Sequence, residues 1–365
     1  MFKHISREIN NPKRIYGLDL LRALAVCIVV YEHGNFILEK ASPTLASIRI
    51  IDGVDLFFVI SGFLIGGILL RGMTKEEKIN FFFVKTFLIR RWFRTLPNYF
   101  LFLLINIILI ASGLASGFIN KYLITFFVFM QNFFKPYDFL YWESWSLSVE
   151  EWFYLLFPVG LLLFSFVIKN RKHLFLVLTL LLIVFSTAIR FYKARHQDYT
   201  YETWDFWIRK LVPCRFDSIG FGLLAAWIHF YYKKFWLKCK WPCFTIGIIL
   251  FSVVLCYNFN NSPYFACTAY FTVSALAAMF MLPLAEQERI YNGKTGKFVV
   301  YMSLISYAMY LTNLGVTGAL IINNTRYWEY PWLYYLLYWG GTLAFSTLIY
   351  NYFEKPFTNL RDRFT

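Results

Sequence analysis

Residues 53–70 read GVDLFFVISGFLIGGILL, an apolar run with a single charged side chain, Asp55. A helix of this length and composition matches the roughly 20 apolar residues needed to cross a bilayer. The same character extends over the whole chain of 365 residues, which is 59% hydrophobic and only 16% charged. Soluble domains average about 45–50% apolar and about 25% charged residues. We therefore predict a polytopic membrane protein, which excludes a cytosolic enzyme, a secreted disulfide scaffold and a disordered tail protein.

Hydropathy predicts an all-α bundle of about ten transmembrane helices in one integral-membrane domain, residues 1–365. An eleventh apolar stretch, 118–134, is ambiguous. If it crossed the membrane, the basic clusters at 169–172 and 233–240 would face outward, against the positive-inside bias. We therefore expect 118–134 to be re-entrant or interfacial and both termini to be cytoplasmic. The predicted spans are 18–38, 53–70, 96–113, 147–168, 173–190, 211–232, 242–258, 264–283, 298–320 and 333–353.

The formal net charge is +15, from 36 Lys and Arg residues against 21 Asp and Glu residues. The positive-inside bias explains this excess, and we expect no nucleic-acid partner because no basic stretch outside the membrane-flanking loops is interleaved with base-stacking aromatic residues. The six cysteines include no Cys-x-x-Cys pair, so no metal site is expected. The N-terminal segment lacks a small-residue cleavage site and is expected to remain as an anchor. No separate soluble domain is expected.

The first predicted helix carries Arg22, Glu32 and His33 at membrane depth, where ionisable groups are costly and are functional candidates by default. At 100° per residue, Arg22 and His33 point in nearly the same direction and lie roughly 16 Å apart along the axis. Glu32 faces about 100° away from His33. Two interpretations remain open. Either Arg22 and His33 form one functional face of the helix, or Arg22 extends to the inner headgroups while His33 lies near the outer interface.

A basic group, Arg90, Arg91 and Arg94, stands at the cytoplasmic mouth of the third predicted helix. Arg91 and Arg94 share one face if that helix starts early. Two neighbouring guanidinium groups suit a phosphate, which each can bind with two parallel hydrogen bonds. Taken alone, the group is explained better by plain membrane anchoring than by phosphate binding.

The stretch 145–154, WSLSVEEWFY, opens the fourth predicted helix. Ser146 or Ser148 is expected to cap the helix, and Ser148 with Glu151 has the spacing of a capping box. One carboxylate is enough for the cap, so Glu150 is free for other work, on the same helix face as Tyr154. The alternative is that both glutamates only complement the helix dipole.

Three further charged residues, Asp55, Arg215 and Asp217, lie inside predicted spans. Arg215 and Asp217 are two residues apart and do not face each other on a helix, so each needs a partner elsewhere. The favoured interpretation is structural pairing between neighbouring helices.

Together these motifs resemble the acyltransferase-3 family, the polytopic O-acyltransferases of bacterial surface glycans. The resemblance covers about 340 residues, and the matching motifs occur in the family's order. They are Arg22 with His33, the stretch DLFFVISGFLI at 55–65, RRWFRTLP at 90–97, WSLSVEEWFY at 145–154, Arg215-Phe216-Asp217 with Gly222, Ser306-Tyr307 with Tyr310-Leu311, and FEKPF at 353–357. The chain departs from the pattern at Asn313, where many members carry a histidine.

The resemblance implies transfer of an acyl group, most often acetyl, from cytoplasmic acetyl-CoA to a hydroxyl of a cell-surface polysaccharide or a lipid-linked precursor such as O-antigen. The site residues would be His33 as general base or acyl acceptor, oriented by Glu150, with Arg22, Arg91 and Arg94 binding CoA. Ser146, Tyr154, Asp55, Arg215 and Asp217 would support the substrate site. We expect Arg22 and His33 to line one passage through the bundle.

The family resemblance also implies a location in the bacterial inner membrane, in contact with its lipids. Many family members carry a C-terminal extracytoplasmic hydrolase-like domain, and this chain is expected to belong to the subgroup without one. It would either complete the transfer alone or pass the acyl group to a separate extracytoplasmic transferase. Two other classes remain open: a transporter or flippase of a lipid-linked glycan or acyl carrier, and a structural subunit.

Overall fold

A computed structural model describes residues 8–9, 11, 14–48, 50–75, 78–136, 140–257, 259–289, 293–323, 325–361 and 364. All regular secondary structure in these residues is helical. Ten of the described helices have 16 residues or more, and each overlaps one predicted span. They are α1 (Tyr16–His33), α2 (Gly53–Lys75), α3 (Phe81–Ala111), α4 (Ser144–Phe164), α5 (Arg171–His196), α6 (Phe216–Tyr231), α7 (Lys240–Cys256), α8 (Tyr270–Gln287), α9 (Lys294–Thr312) and α10 (Pro331–Ile349).

The helices agree with a membrane protein, but they do not confirm ten crossings. Five of the described helical segments are long and apolar enough to cross a membrane: α2, α3, α4, α5 and the stretch Lys294–Ile322, which includes α9. A sixth is added if α1 is counted with the helix Asn35–Ala41, from which it is bent by 64°. The ambiguous stretch 118–134 contains only the five-residue helix Leu123–Phe127, which is too short to cross.

Two predictions about helix starts were wrong. The helix α3 begins at Phe81 rather than near residue 96, because Asn80 accepts a hydrogen bond from the Phe83 N–H and caps it. The basic cluster therefore lies inside a helix of 31 residues. The helix α4 begins before both serines proposed as caps, and Ser146 and Ser148 instead donate hydrogen bonds to carbonyls of the preceding turn.

The helices α2 and α6 approach each other at backbone distance. A Cβ atom added at Gly62 would lie 2.2 Å from the Ile219 carbonyl oxygen, and one at Gly222 would lie 2.2 Å from that of Val59. Only glycine fits at this crossing, as is common where membrane helices pack closely. The crossing holds α2, which lines the candidate site, against the centre of the bundle.

Two buried ion pairs tie α6 and the turn before it to neighbouring helices. Arg215 pairs with Asp55 of α2, and Asp217 of α6 pairs with Arg190 of α5. Arg190 also donates hydrogen bonds to the carbonyls of Thr268 and Cys214. These contacts agree with the predicted pairing between helices.

Helix interruptions place two polar residues at one level of the bundle. The helix α1 ends at His33 because the chain bends at Gly34 before the helix Asn35–Ala41. The helix α9 passes into a π-helical turn, Asn313–Gly318, which starts at a fully buried asparagine. Such π-helical turns are rare and are often found at functional sites.

Candidate active site

A cavity of about 330 Å³ lies between α1, α2, α3, α4 and α9, and we call it the arginine cavity. Along α2 it extends from Val54 to Arg71, a distance of about 25 Å along the helix axis. Its volume lies at the lower end of the usual range for small-molecule sites. Its polar lining consists of Arg22, Ser61, Arg71, Arg91, Arg94, Thr95, Ser146, Glu150, Tyr154, Ser306, Tyr307 and Tyr310.

One end of the arginine cavity is strongly basic. Arg22, Arg71, Arg91 and Arg94 line it, and none of the four forms an ion pair with a described carboxylate. The Nε atom of Arg91 is buried without a hydrogen-bond partner among the described residues. Arg22, Arg91 and Arg94 are half-buried and Arg71 is exposed. Four neighbouring guanidinium groups without a carboxylate partner among the described residues suit the binding of an anion.

The other end of the arginine cavity carries a pair of hydroxyl groups. The Ser146 and Tyr310 oxygens are 2.6 Å apart, and the Tyr310 hydroxyl also donates to the Glu143 carbonyl at 3.0 Å. The Glu143 carbonyl also lies 3.4 Å from the Ser146 oxygen, so either hydroxyl can be the donor in the Ser146–Tyr310 bond. The pair is buried and fixed, so it offers polar atoms at a defined position.

The two adjacent glutamates of α4 have different surroundings. Glu151 is buried and accepts a hydrogen bond from Thr95 at 2.6 Å. Glu150 lines the arginine cavity beside Tyr154, whose hydroxyl lies 3.2 Å from that of Ser61. The structure therefore places Glu150, Tyr154 and Ser146 in the same cavity as the three predicted CoA-binding arginines.

His33 lines a different cavity, of about 640 Å³, which we call the histidine cavity. Among the described residues, no side chain lines both cavities. They approach each other at the start of α2, where Asp52 lines one and Val54 lines the other. The polar and aromatic lining of the histidine cavity consists of Tyr31, Glu32, His33, Asn35, Asp52, Tyr201, Trp204, Asp205, Arg209, Tyr257, Phe259, Asn260 and Tyr270.

This arrangement corrects two expectations. Arg22 and His33 do not line one cavity, because Arg22 lines the arginine cavity and His33 lines the histidine cavity. Glu150 is not the partner of the imidazole, since the His33 Nδ1 atom lies 2.6 Å from Oδ1 of Asn313 instead. The position where this chain departs from the family pattern therefore contacts the predicted catalytic histidine.

An ion-pair network forms one wall of the histidine cavity. Arg209 donates to Asp52 and Asp205, both at 2.9 Å, and Lys210 lies 2.5 Å from Asp205. Burial alone would raise the pKa of Asp205, but the neighbouring charges of Arg209 and Lys210 outweigh burial and hold this pKa below its usual value. The charges of this wall therefore pair with one another. Among the described residues, Glu32 is the lining carboxylate without an ion pair.

The remaining predicted residues, Asp55, Arg215 and Asp217, line neither cavity. The guanidinium carbon of Arg215 lies 3.9 Å from the ring centroid of Phe271 and 5.6 Å from that of Trp145. Their contacts are those of structural support. No group of three His, Cys, Asp or Glu residues that could hold a metal ion occurs in the described ranges.

Several lining residues were not singled out from the sequence. Arg71 stands after an apolar run and resembles an ordinary flanking anchor, although it adds a fourth cation to the arginine cavity. Arg209 ends a five-residue π-helical turn, Asp205–Arg209, which is too short for a periodic pattern to show in the sequence. Glu143 was also missed; it lines neither cavity, and it accepts a hydrogen bond from the Gly315 N–H on one carboxylate oxygen while the other oxygen is buried and unpartnered among the described residues.

The amino-acid sequence matches a known protein family. The acyltransferase-3 family model, described as an acyltransferase domain, matches residues 15–351. The peptidoglycan O-acetyltransferase OatA of Listeria monocytogenes is 35% identical over 177 residues, which are 44% of this chain and 26% of OatA. A Staphylococcus aureus (strain COL) protein with the provisional name O-acetyltransferase is 26% identical over 367 residues, covering 94% of this chain and 57% of its own.

A third relative is YrhL of Bacillus subtilis (strain 168), provisionally named a peptidoglycan O-acetyltransferase. It is 30% identical over 189 residues, which are 48% of this chain and 28% of YrhL. The chain thus spans from about a quarter to somewhat over half of the length of these relatives. No solved structure matches it. Since the family model covers nearly all of the sequence, the chain belongs to the acyltransferase-3 family of acyltransferase domains.

Proposed function

We propose that the protein is a membrane O-acyltransferase that uses acetyl-CoA to acylate a hydroxyl of a cell-surface polysaccharide or its lipid-linked precursor. The observation that carries the proposal is the arginine cavity, which has unpaired cations at one end and the Ser146–Tyr310 hydroxyl pair at the other. The similarity to proteins named as O-acetyltransferases supports the reaction class. The location would be the bacterial inner membrane, with both termini in the cytoplasm.

The donor fits the arginine cavity by charge and by shape. Coenzyme A is a long molecule with phosphates at one end and a thioester at the other. Its phosphates would bind Arg22, Arg91 and Arg94, because guanidinium groups bind phosphate with paired, charge-assisted hydrogen bonds. The thioester would then extend along α2 towards Ser146 and Tyr310, which lie at the far end.

The acceptor fits the histidine cavity. Tyr201, Trp204, Tyr257 and Tyr270 supply aromatic faces there, and neighbouring carboxylates and Asn35 supply hydrogen-bonding groups. A sugar has both apolar ring faces and hydroxyl groups, so a lining of this kind suits a polysaccharide. The side chain expected to act on the acceptor hydroxyl is His33, which lines the same cavity.

Transfer would take place where the two cavities approach each other, at the start of α2. In direct transfer His33 removes the proton of the acceptor hydroxyl, whose oxygen attacks the thioester carbonyl carbon. The C–S bond then breaks, and the CoA thiolate leaves and takes up a proton. In the alternative, the imidazole first accepts the acyl group and then passes it to the acceptor hydroxyl, or to a separate extracytoplasmic transferase.

The test compares cells that lack the protein with cells complemented by wild type, His33→Ala or His196→Ala. Mass spectrometry of the surface glycans reports acyl mass and acceptor together. We expect wild type and His196→Ala to restore acylation, because His196 is exposed and lines neither cavity. His33→Ala should not restore it. Acylation at the wild-type level in a His33→Ala strain would remove His33 from the mechanism.

A flippase without chemistry would also have cavities at both ends of the bundle. Purified protein in lipid nanodiscs, supplied with radiolabelled acetyl-CoA and the glycan found in cells, distinguishes the two functions. An acyltransferase moves the label to the glycan, whereas a flippase leaves it on CoA.

A further inference from the structure

The imidazole of His33 is held by a buried amide on another helix. The His33 Nδ1 atom lies 2.6 Å from Oδ1 of Asn313. Asn313 is completely buried at the start of the π-helical turn that follows α9. Its position is rigid, because the turn and its backbone hydrogen bonds fix the chain at this point.

The orientation of the Asn313 amide follows from its other partners. Its Nδ2 atom donates to the carbonyl oxygens of Met309 and Tyr310, both at 2.8 Å. If the amide were flipped, its oxygen would face two carbonyl oxygens and no donor. The Tyr338 hydroxyl lies 3.4 Å from Oδ1 but also donates to the Val30 carbonyl at 3.0 Å, so the two carbonyl partners of Nδ2 determine the orientation.

The Asn313 amide determines which nitrogen of the His33 imidazole carries the proton. Since Oδ1 of Asn313 only accepts, the Nδ1 atom of His33 must carry a hydrogen. A neutral imidazole has one protonated nitrogen, so Nε2 of His33 then has a free lone pair. Among the described residues, Nε2 has no hydrogen-bond partner, and His33 lines the histidine cavity.

We infer that Asn313 is a positioning residue, which holds His33 in the Nδ1–H tautomer and presents the basic Nε2 atom to the histidine cavity. The consequence for acyl transfer rests on the proposed function, whereas the tautomer does not. The amide accepts the same hydrogen bond from the neutral ring and from the imidazolium. Nε2 can therefore gain and lose a proton without any rearrangement at Nδ1.

A carboxylate at position 313 would behave differently. It would keep Nδ1–H but favour the imidazolium, because opposite charges attract at this distance. The other charged groups near His33 are Glu32 on α1, Asp52 before α2, and Arg209 and Lys210 from the loop after α5. These are the same in every variant, so a change between variants reports on position 313.

The experiment uses the full chain in lipid with ¹⁵N-labelled histidine and solid-state NMR at neutral pH. The His33 signals are identified by their loss in His33→Gln. In wild type we expect a protonated Nδ1 and an unprotonated Nε2. In Asn313→Leu the acceptor is gone, and we expect the Nε2–H tautomer to appear. Asn351→Leu is the matched control, since Asn351 is also buried in a π-helical turn but contacts neither cavity.

Acyl transfer gives the second readout. We expect Asn313→Leu to lower kcat on the order of 10- to 100-fold with little change in KM, as for other lost hydrogen bonds that orient a functional imidazole. We expect Asn313→Asp to retain activity at high pH, with the acidic limb of its pH profile moved to higher pH. If activity were lost only because a buried asparagine is needed for folding, Asn313→Leu and Asn351→Leu would both have a lowered melting temperature.

Two results would overturn the inference: an Nε2–H tautomer in wild type, or an unchanged Nδ1–H tautomer in folded Asn313→Leu. A separate result would overturn the proposed role of His33 alone. If NMR shows the expected tautomers while His33→Ala still transfers acyl groups, Asn313 positions the ring as inferred but the ring does not serve the reaction.

Discussion

Replacing Arg91 by glutamine tests whether the basic end of the arginine cavity binds the phosphates of CoA. The side chain lines the cavity, and its Nε atom is buried without a partner among the described residues. Arg90, its neighbour on α3, is exposed and does not line the cavity. Arg90→Gln therefore removes the same charge from the same helix without touching the proposed phosphate site, and serves as the matched control.

The expected loss of affinity follows from the hydrogen bonds that Arg91 would make to phosphate. A hydrogen bond to a charged group contributes about 1.5–3 kcal/mol, and each 1.4 kcal/mol is about tenfold in Kd. Arg91→Gln should therefore weaken CoA binding by about 10- to 100-fold. A surface substitution usually changes the free energy by less than about 0.5 kcal/mol, so Arg90→Gln should change Kd by about twofold at most.

The assay is titration of CoA against purified protein in nanodiscs without an acceptor, at low and high salt. Salt should weaken wild-type binding more than binding to Arg91→Gln, since the variant has one fewer charge to screen. Without CoA, the variant should melt at or above the wild-type temperature, because Arg91 lies among like charges without an ion-pair partner. Equal loss of affinity in Arg90→Gln and Arg91→Gln, or no binding to wild type, would refute the proposed donor site.

Three further predictions concern the scaffold. Arg215→Met leaves the buried Asp55 carboxylate without its ion-pair partner and should cost about 3–5 kcal/mol, measured as a lowered melting temperature that Asp55→Leu in the same chain partly restores. Gly62→Leu should abolish the monodisperse peak in size-exclusion chromatography, whereas Gly340→Leu should not, because a Cβ at Gly340 meets no atom within 4 Å. The pKa of Asp205 is lowered from its usual value of 3.8, so the ionised carboxylate stabilises the fold at a pH above 3.8, and this stabilisation is lost as the pH falls below that value. Asp205→Asn should therefore have a lower melting temperature than wild type at neutral pH. The difference in melting temperature should shrink towards pH 3.

Local patterns in the sequence predict local features well. The run at 53–70 became the helix α2, and the spacing of Arg91 and Arg94 placed both on the face that lines the arginine cavity. Helix starts were harder, because several residues can cap a helix and only one does. Asn80 determines where α3 begins, well before the apolar run that was predicted as the span.

Relations between distant residues could not be read from periodicity. Helical spacing predicts that Arg22 and His33 lie on one side of α1, but it does not show that they line different cavities. Asn313 reaches the imidazole from a position 280 residues later, and Asp55 and Arg215 are separated by 160 residues. The variants at His33 and Arg91 test the chemical roles predicted for these two residues.

The division of the interior into two cavities without a shared lining residue has a consequence for the cell that contains the protein. An open channel wide enough for a coenzyme would let protons and metabolites leak down their gradients. Two pockets placed back to back avoid this leak, since only a small uncharged group has to pass from one to the other. It also follows that a compound shaped for the histidine cavity could block the protein from that face alone, without competing against the coenzyme.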